Sequence, residues 1–77
     1  MDQDLNDLRV FATVAQLGGF REAARIMGRS ASSLSDAMRR LEASMGVRLL
    51  NRTTRSVVPT EAGRDLLARL GPALQEI

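Results

Sequence analysis

The tripeptide Gly28-Arg29-Ser30 constrains the fold of this sequence more than any other feature, because helical patterns lie directly before and after it. Before it, apolar residues recur at the spacing of one helix face, at Phe20, Ala23, Ala24 and Met27. After it, Ser30 is a suitable N-cap for a helix over about 31–45, which would stop at Gly46. Two helices joined by three residues are typical of a helix-turn-helix.

The rest of the chain predicts two further helices and a hairpin. A first helix should run from about Asp4 to Leu17 and stop at Gly18-Gly19, with its apolar stripe at Leu5, Leu8, Phe11, Ala12 and Ala15. The β-prone residues 47–50 and 57–59 flank a polar, turn-like segment at 51–56, which predicts a β-hairpin. Thr60 is the expected N-cap of a fourth helix, which Gly71-Pro72 should bend or loosen. The fold class is therefore mainly α with a small β-hairpin, a winged helix-turn-helix.

The third helix should have one buried face and one free face. At about 100° per residue, one stripe is apolar and is predicted to be core, at Leu34, Ala37, Met38, Leu41 and Met45. The opposite side is polar or small, at Ser32, Asp36, Arg39 and Ala43, flanked by Ser35 and Arg40. This second face has no reason to be buried in protein.

Positive charge is concentrated in the middle of the chain. All 11 basic residues are arginine, and residues 21–55 hold eight of them against three acidic residues. The segments on either side are each net negative. Such a basic belt favours a polyanionic partner, although an ordinary solvated surface would have the same composition.

Composition also lowers the expectation of several functions. The 77 residues include no histidine and no cysteine, the usual zinc ligands, so neither catalysis nor a bound metal or cofactor is expected. No apolar run approaches the length of a membrane span, and the polar, acidic start differs from a signal peptide. We therefore expect a cytoplasmic protein with no membrane partner. A domain this small should also gain stability by self-association.

Residues 23–63 resemble the signature of the LysR-type transcriptional regulators. The matching positions are Ala23-Ala24, Ser30, Ser35, Leu41-Glu42, Gly46, Leu49, Arg52 and Thr60-Glu61-Ala62-Gly63. The resemblance implies a winged helix-turn-helix over 1–59, followed over 60–77 by the start of a linker and dimerisation helix. It also implies a homodimer, or a tetramer at full length, that binds double-stranded operator DNA. A small-molecule effector is expected only in a C-terminal domain that these residues do not include.

The resemblance and the helix geometry together predict the DNA contacts. The third helix would enter the major groove, and the hairpin, or wing, would reach the minor groove. Base contacts are predicted at Ser32, Ser35, Asp36, Arg39 and Arg55. Phosphate contacts are predicted at Arg21, Ser33, Arg40, Arg52, Thr53 and Thr54. The apolar stripe of the fourth helix is predicted to face a second copy through Leu66, Leu67, Leu70, Leu74 and Ile77.

Several of these assignments have a structural alternative. Ser32 and Ser33 are also suited to capping the third helix, Arg52 to packing, and Arg21 to plain solvation. Asp36 departs from the basic or amide residue frequent there in the family; it either accepts from cytosine N4 or pairs with Arg39 or Arg40. Ala31 and Ser32 replace the Gln and Pro common in the family, so base preference should differ. Glu42 is interpreted as a structural hydrogen-bond acceptor. The rival functions are a protein-interaction module that never binds nucleic acid and a nonspecific architectural DNA binder.

Overall fold

A computed structural model describes residues 2–53 and 56–75, with side chains for 5–53 and 56–70. The element order is α1 (Asp2–Leu17), α2 (Phe20–Met27), α3 (Ala31–Met45), β1 (Leu50–Arg52), β2 (Val57–Pro59) and α4 (Glu61–Gln75). This confirms the predicted mainly α architecture with one hairpin. Within the described ranges, no helix combines the length and apolar character needed to cross a bilayer.

The predicted helix boundaries follow from local backbone chemistry. Gly28 and Gly46 adopt left-handed conformations, with φ of 67° and 70°, directly after α2 and α3. A residue with a side chain is strained there, so glycine provides the stop. Ser30 caps α3, because its Oγ accepts a hydrogen bond of 3.1 Å from the Ser33 backbone N–H. The ends of the two helices of the helix-turn-helix are therefore set by the two glycines and the Ser30 cap, as the sequence predicts.

The core is formed where α1, α2, α3 and the start of the hairpin meet. The predicted stripe of α3 is buried at Leu34, Ala37, Met38 and Leu41, but Met45 is 46% exposed, so that assignment was wrong. Met45 is the last residue of α3 and lies beside α4, past the end of the packed interior. On α1 the buried residues are Asp7, Val10, Phe11 and Val14, whereas Leu5 is 37% exposed. The predicted apolar stripe of α1 and the stripe that is buried both have helical spacing, and they share Phe11. Packing against the rest of the core buries the second stripe, which contains Asp7.

The hairpin pairs β1 with β2 in antiparallel register, with Leu50 opposite Pro59 and Arg52 opposite Val57. Asn51 and Arg52, predicted as turn, lie in β1, and Val47 lies outside it. The reason is α3: the Val47 N–H donates to the Glu42 carbonyl, and Glu42 Oε2 accepts from Leu49 N–H at 2.8 Å. These bonds hold 47–49 against α3, so the strand begins later.

The hairpin and α4 are fixed to the body at defined points. The Val57 N–H donates to the Gly18 carbonyl at 3.2 Å, which joins β2 to the end of α1. Thr60 Oγ1 donates to the Arg48 carbonyl at 2.7 Å and accepts from Gly63 N–H at 3.0 Å, which confirms Thr60 as the cap of α4. The backbone of α4 stays helical through Gly71-Pro72 to Gln75.

Candidate nucleic-acid interface

The outer face of α3 lies free at the surface of the molecule. Ser32, Asp36, Arg39 and Ala43 are exposed, and Ser35 is partly buried. The opposite face of the same helix fills the core. The structure thus leaves a polar helical ridge uncovered, which is the shape that the major groove of a duplex accepts.

Ser35 is the centre of a cluster that joins three elements. Its Oγ accepts hydrogen bonds from Arg39 Nη2 at 3.4 Å and from Arg52 Nη1 at 3.1 Å. The Arg52 guanidinium also lies over the Phe20 ring, 4.7 Å from its centroid, a cation–π geometry. Arg52 in β1 is therefore in contact with both helices of the helix-turn-helix. We call Phe20, Ser35, Asp36, Arg39 and Arg52 the Ser35 cluster.

Asp36 joins this cluster through Arg39. Arg39 Nη2 lies 3.4 Å from Asp36 Oδ1, one helical turn away, so the intrahelical pairing is formed. Both side chains remain mostly exposed, and such a pair contributes little to stability. The Asp36 carboxylate reduces the positive potential of the ridge and orients the guanidinium of Arg39.

Both predicted phosphate contacts on α3 already have partners inside the protein. Arg40 Nη2 donates to Asp7 Oδ1 at 3.2 Å, and Asp7 is 3% exposed. Ser33 is partly buried, and its Oγ accepts from Arg29 Nη2 at 2.6 Å. The pairing of Arg40 with Asp7 was missed from sequence because an acidic residue on α1 gives no local sign of being buried.

The start of α2 and the tip end of the hairpin border an open, polar recess of about 410 Å³. It is lined by Gly18, Gly19, Phe20, Arg21, Thr53, Ser56 and Val57. No side chain caps the N-terminus of α2 at Gly19. Amide N–H groups at a free helix N-terminus attract anions, and Arg21 is exposed beside them.

The tip of the hairpin is described only in part. Thr53 and Ser56 are joined across it: Thr53 Oγ1 donates to the Ser56 carbonyl at 2.9 Å and accepts from Ser56 N–H at 3.0 Å. Thr54 and Arg55 lie outside the described residues, so their predicted contacts stay predictions.

Another cation of the basic belt is paired with a carboxylate on its own helix. Arg25 on α2 donates to Glu22 Oε1, with the Nε bond at 3.0 Å. This hydrogen bond, together with the charge of Glu22, raises the pKa of Arg25 above its ordinary value. The belt is therefore less positive at α2 than the arginine positions alone suggest.

The predicted dimer face of α4 is partly used inside the protein. Leu66, Leu67 and Leu70 are partly buried and pack against the core. A recess of about 200 Å³ lies next to them, lined by Met45, Ala62, Asp65, Leu66 and Arg69. The side chain of Leu74 and all of Ile77 lie outside the described residues.

Comparison with known families gives one consistent match. Residues 5–64 fit the family described as bacterial regulatory helix-turn-helix protein, lysR family. The HTH-type transcriptional regulator PgrR of Escherichia coli (strain K12) is 49% identical over 75 residues, which is 97% of this chain and 25% of PgrR. The chain thus spans about a quarter of the length of the curated relatives it matches.

Solved structures with the same fold include two complexes with DNA. The crystal structure of the CbnR DBD–DNA complex matches with a TM-score of 0.85 and 33% identity, covering 91% of this chain and 80% of that one. The BenM DBD in complex with catB site 1 DNA matches with a TM-score of 0.89 and 29% identity, covering 94% and 80%.

Proposed function

The chain belongs to the LysR family of transcription regulators and is a DNA-binding helix-turn-helix domain of that family, and from this we propose how it binds an operator. The ridge of α3 enters the major groove, the hairpin approaches the adjacent minor groove, and the protein recognises a specific sequence. The single observation that carries this proposal is that one face of α3 fills the core and the other is left polar and uncovered.

The roles of individual residues follow from their positions. Ser32, Ser35 and Arg39 lie on the ridge and are proposed to contact base edges, while Asp36 orients Arg39. Arg21 and the free N-terminus of α2 are proposed to bind a phosphate, with Thr53 beside them across the recess. Arg55 is proposed to enter the minor groove. Arg40, Ser33 and Arg52 use their polar groups within the protein, so their proposed share in phosphate contacts is smaller.

We further propose that the protein acts as a homodimer through α4. In support, Leu66, Leu67 and Leu70 stay partly exposed after packing on the core, and Met45 adds apolar surface next to them. Any small-molecule effector is proposed to bind outside these 77 residues, since the relatives are about four times as long. Regulation of chromosomal genes would place the protein in the bacterial cytoplasm.

The proposal is tested by selecting bound duplexes from a random library and then measuring affinity across a salt series. A specific reader should enrich one sequence family, prefer it over random duplex by a factor on the order of 10³, and lose affinity steeply between about 50 and 200 mM salt. Binding without enrichment would indicate an architectural binder. No duplex binding at any salt concentration would indicate a protein-interaction module, and either result would contradict the proposal.

A further inference from the structure

Ser35 has a hydroxyl group whose hydrogen-bonding capacity is partly used within the protein. A serine hydroxyl can donate one hydrogen bond and accept two. Ser35 Oγ already accepts from Arg39 Nη2 at 3.4 Å and from Arg52 Nη1 at 3.1 Å. A guanidinium has donors and no acceptor, so neither arginine can take the hydroxyl proton. What remains of Ser35 is its donor.

The proton is also not used by the helix itself. A serine or threonine inside a helix often donates to the carbonyl four residues earlier, as Thr13 does to Arg9 at 2.8 Å in α1. Among the described residues, Ser35 makes no such bond to the Ala31 carbonyl. The donor is therefore available to a partner outside the protein, and Ser35 is only partly buried.

The two arginines are themselves held in place. Arg52 is stacked on the Phe20 ring at 4.7 Å, and Arg39 is paired with Asp36 at 3.4 Å. Each guanidinium thus has a second contact that keeps it near Ser35. Both acceptor positions of the Ser35 hydroxyl are therefore used within the protein, and it has none left for a group on DNA.

We propose that Arg39 and Arg52 make Ser35 a hydrogen-bond donor only, so that it selects bases with an acceptor on the major-groove edge and rejects cytosine. Guanine offers N7 and O6, adenine N7 and thymine O4, whereas the cytosine edge presents only the N4 amine. Arg52 is then a positioning residue for sequence reading, which is distinct from its predicted phosphate contact. This inference rests on the proposed function, because it assumes that the ridge of α3 enters the major groove.

The test uses the 77-residue chain and the duplex enriched by library selection. Ser35→Ala first identifies the base position whose preference depends on the hydroxyl. Four duplexes that differ only at that position are then titrated with wild type, Arg52→Met and the control Arg48→Met. Methionine keeps the apolar reach of arginine and removes its donors. Arg48 is exposed, and its side chain lies outside the Ser35 cluster.

Wild type should bind the cytosine duplex about 3- to 10-fold more weakly than the best acceptor-bearing duplex, the range of one neutral hydrogen bond. Arg52→Met should bring this ratio close to 1, because the released lone pair can accept from N4. Arg48→Met should leave the ratio unchanged. Circular dichroism spectra check that each variant is folded.

Three results would overturn the inference while leaving the proposed function intact. One is equal weakening of all four duplexes by Arg52→Met, which would make Arg52 a phosphate contact. Another is a wild-type preference for cytosine at the Ser35 position. The third is a Ser35→Ala variant whose base preferences match those of wild type at every position. If no duplex is enriched at all, the proposed function itself fails, and the inference fails with it.

Discussion

Single residues decide how closely the elements approach, and Gly63 shows this most clearly. A Cβ built at Gly63 would overlap the carbonyl oxygen of Leu49 and lie 3.2 Å from the Leu49 carbonyl carbon. The first turn of α4 therefore passes directly over the peptide that leads into β1. Gly63 lies inside a helix, where any residue can adopt the backbone conformation. Glycine is therefore required at this position for space and not for its conformational freedom.

Gly63→Ala should lower the free energy of unfolding by about 2–3 kcal/mol, because the clashing atom belongs to the backbone and cannot rotate away. For a domain of this size, that corresponds to a fall in Tm of roughly 10–20 °C. Thermal denaturation monitored by circular dichroism measures it. Gly19→Ala is the matched control: Gly19 is extended and nothing lies within 4 Å of its added Cβ, so a change below about 1 kcal/mol is expected. Equal effects of the two substitutions would contradict the role given to Gly63.

Arg40 connects the surface of α3 to a buried carboxylate. Arg40→Met removes the partner of Asp7 and should destabilise the fold by about 1–3 kcal/mol, less than for a fully buried pair because Arg40 is half exposed. Urea unfolding gives the value. Arg39→Met removes a pair on the same helix whose two members are both mostly exposed, and it should cost less than about 1 kcal/mol. The assignment is wrong if the two variants unfold at the same urea concentration.

Between elements, the main connection is the side chain of Glu42. Its Oε2 accepts from Leu49 N–H at 2.8 Å and from Leu50 N–H at 3.2 Å, so one carboxylate on α3 satisfies two backbone groups that enter the hairpin. The sequence predicted a structural acceptor at Glu42, and this is confirmed.

Glu42→Ala leaves two partly buried N–H groups without an acceptor and should lower the free energy of unfolding by about 2 kcal/mol. Glu42→Gln keeps a carbonyl oxygen at the same reach and should retain at least half of that stability. Chemical denaturation compares the variants. A glutamine variant as unstable as the alanine variant would show that the charge, and not the acceptor geometry, is what matters.

The hairpin gives a prediction for binding. Arg55→Ala should weaken affinity most on duplexes with a narrow minor groove, where the negative potential is strongest. The measurement is fluorescence anisotropy on two duplexes that share the selected site and differ only in flanking A-tracts. Unchanged affinity on the A-tract duplex would remove Arg55 from the interface.

The sequence predicts elements well where the signal is local and less well where packing decides. The ends of α2 and α3 are predictable because glycine and the Ser30 cap act on their own turn. Burial of Asp7 and exposure of Met45 are not, because both depend on which neighbouring helix covers them. Of the candidate site, helical periodicity predicts the ridge of α3, while the contacts of Arg52 with Ser35 and Phe20 join residues far apart in sequence.

At the scale of the whole molecule, the two ends of α3 have different charged neighbours. The N-terminal half of the helix lies with the Ser35 cluster and Arg52 of the hairpin, whereas its last residue, Met45, lies beside Asp65 and Arg69 of α4. Those ends are about 20 Å apart for a 15-residue helix. DNA should therefore respond to cations at one end and not at the other.

Arg21→Gln should reduce the slope of log affinity against log salt by about 0.9, the contribution of one phosphate contact. Arg69→Gln has the same charge change at the opposite end and should leave the slope unaltered. Titrations at four salt concentrations between about 50 and 200 mM determine both slopes. Equal slopes for the two variants would contradict the proposed orientation on the duplex.

The anchoring of the hairpin has a consequence for engineering. Its strands are three residues long, and their bonds to Gly18 and Ser35 are made by Val57 and Arg52, the strand ends next to the turn. Replacement of residues 54 and 55 would change no donor or acceptor of these bonds while altering the segment that is proposed to reach the minor groove. A set of regulators with graded preferences for flanking sequence could be made by exchanging this dipeptide alone.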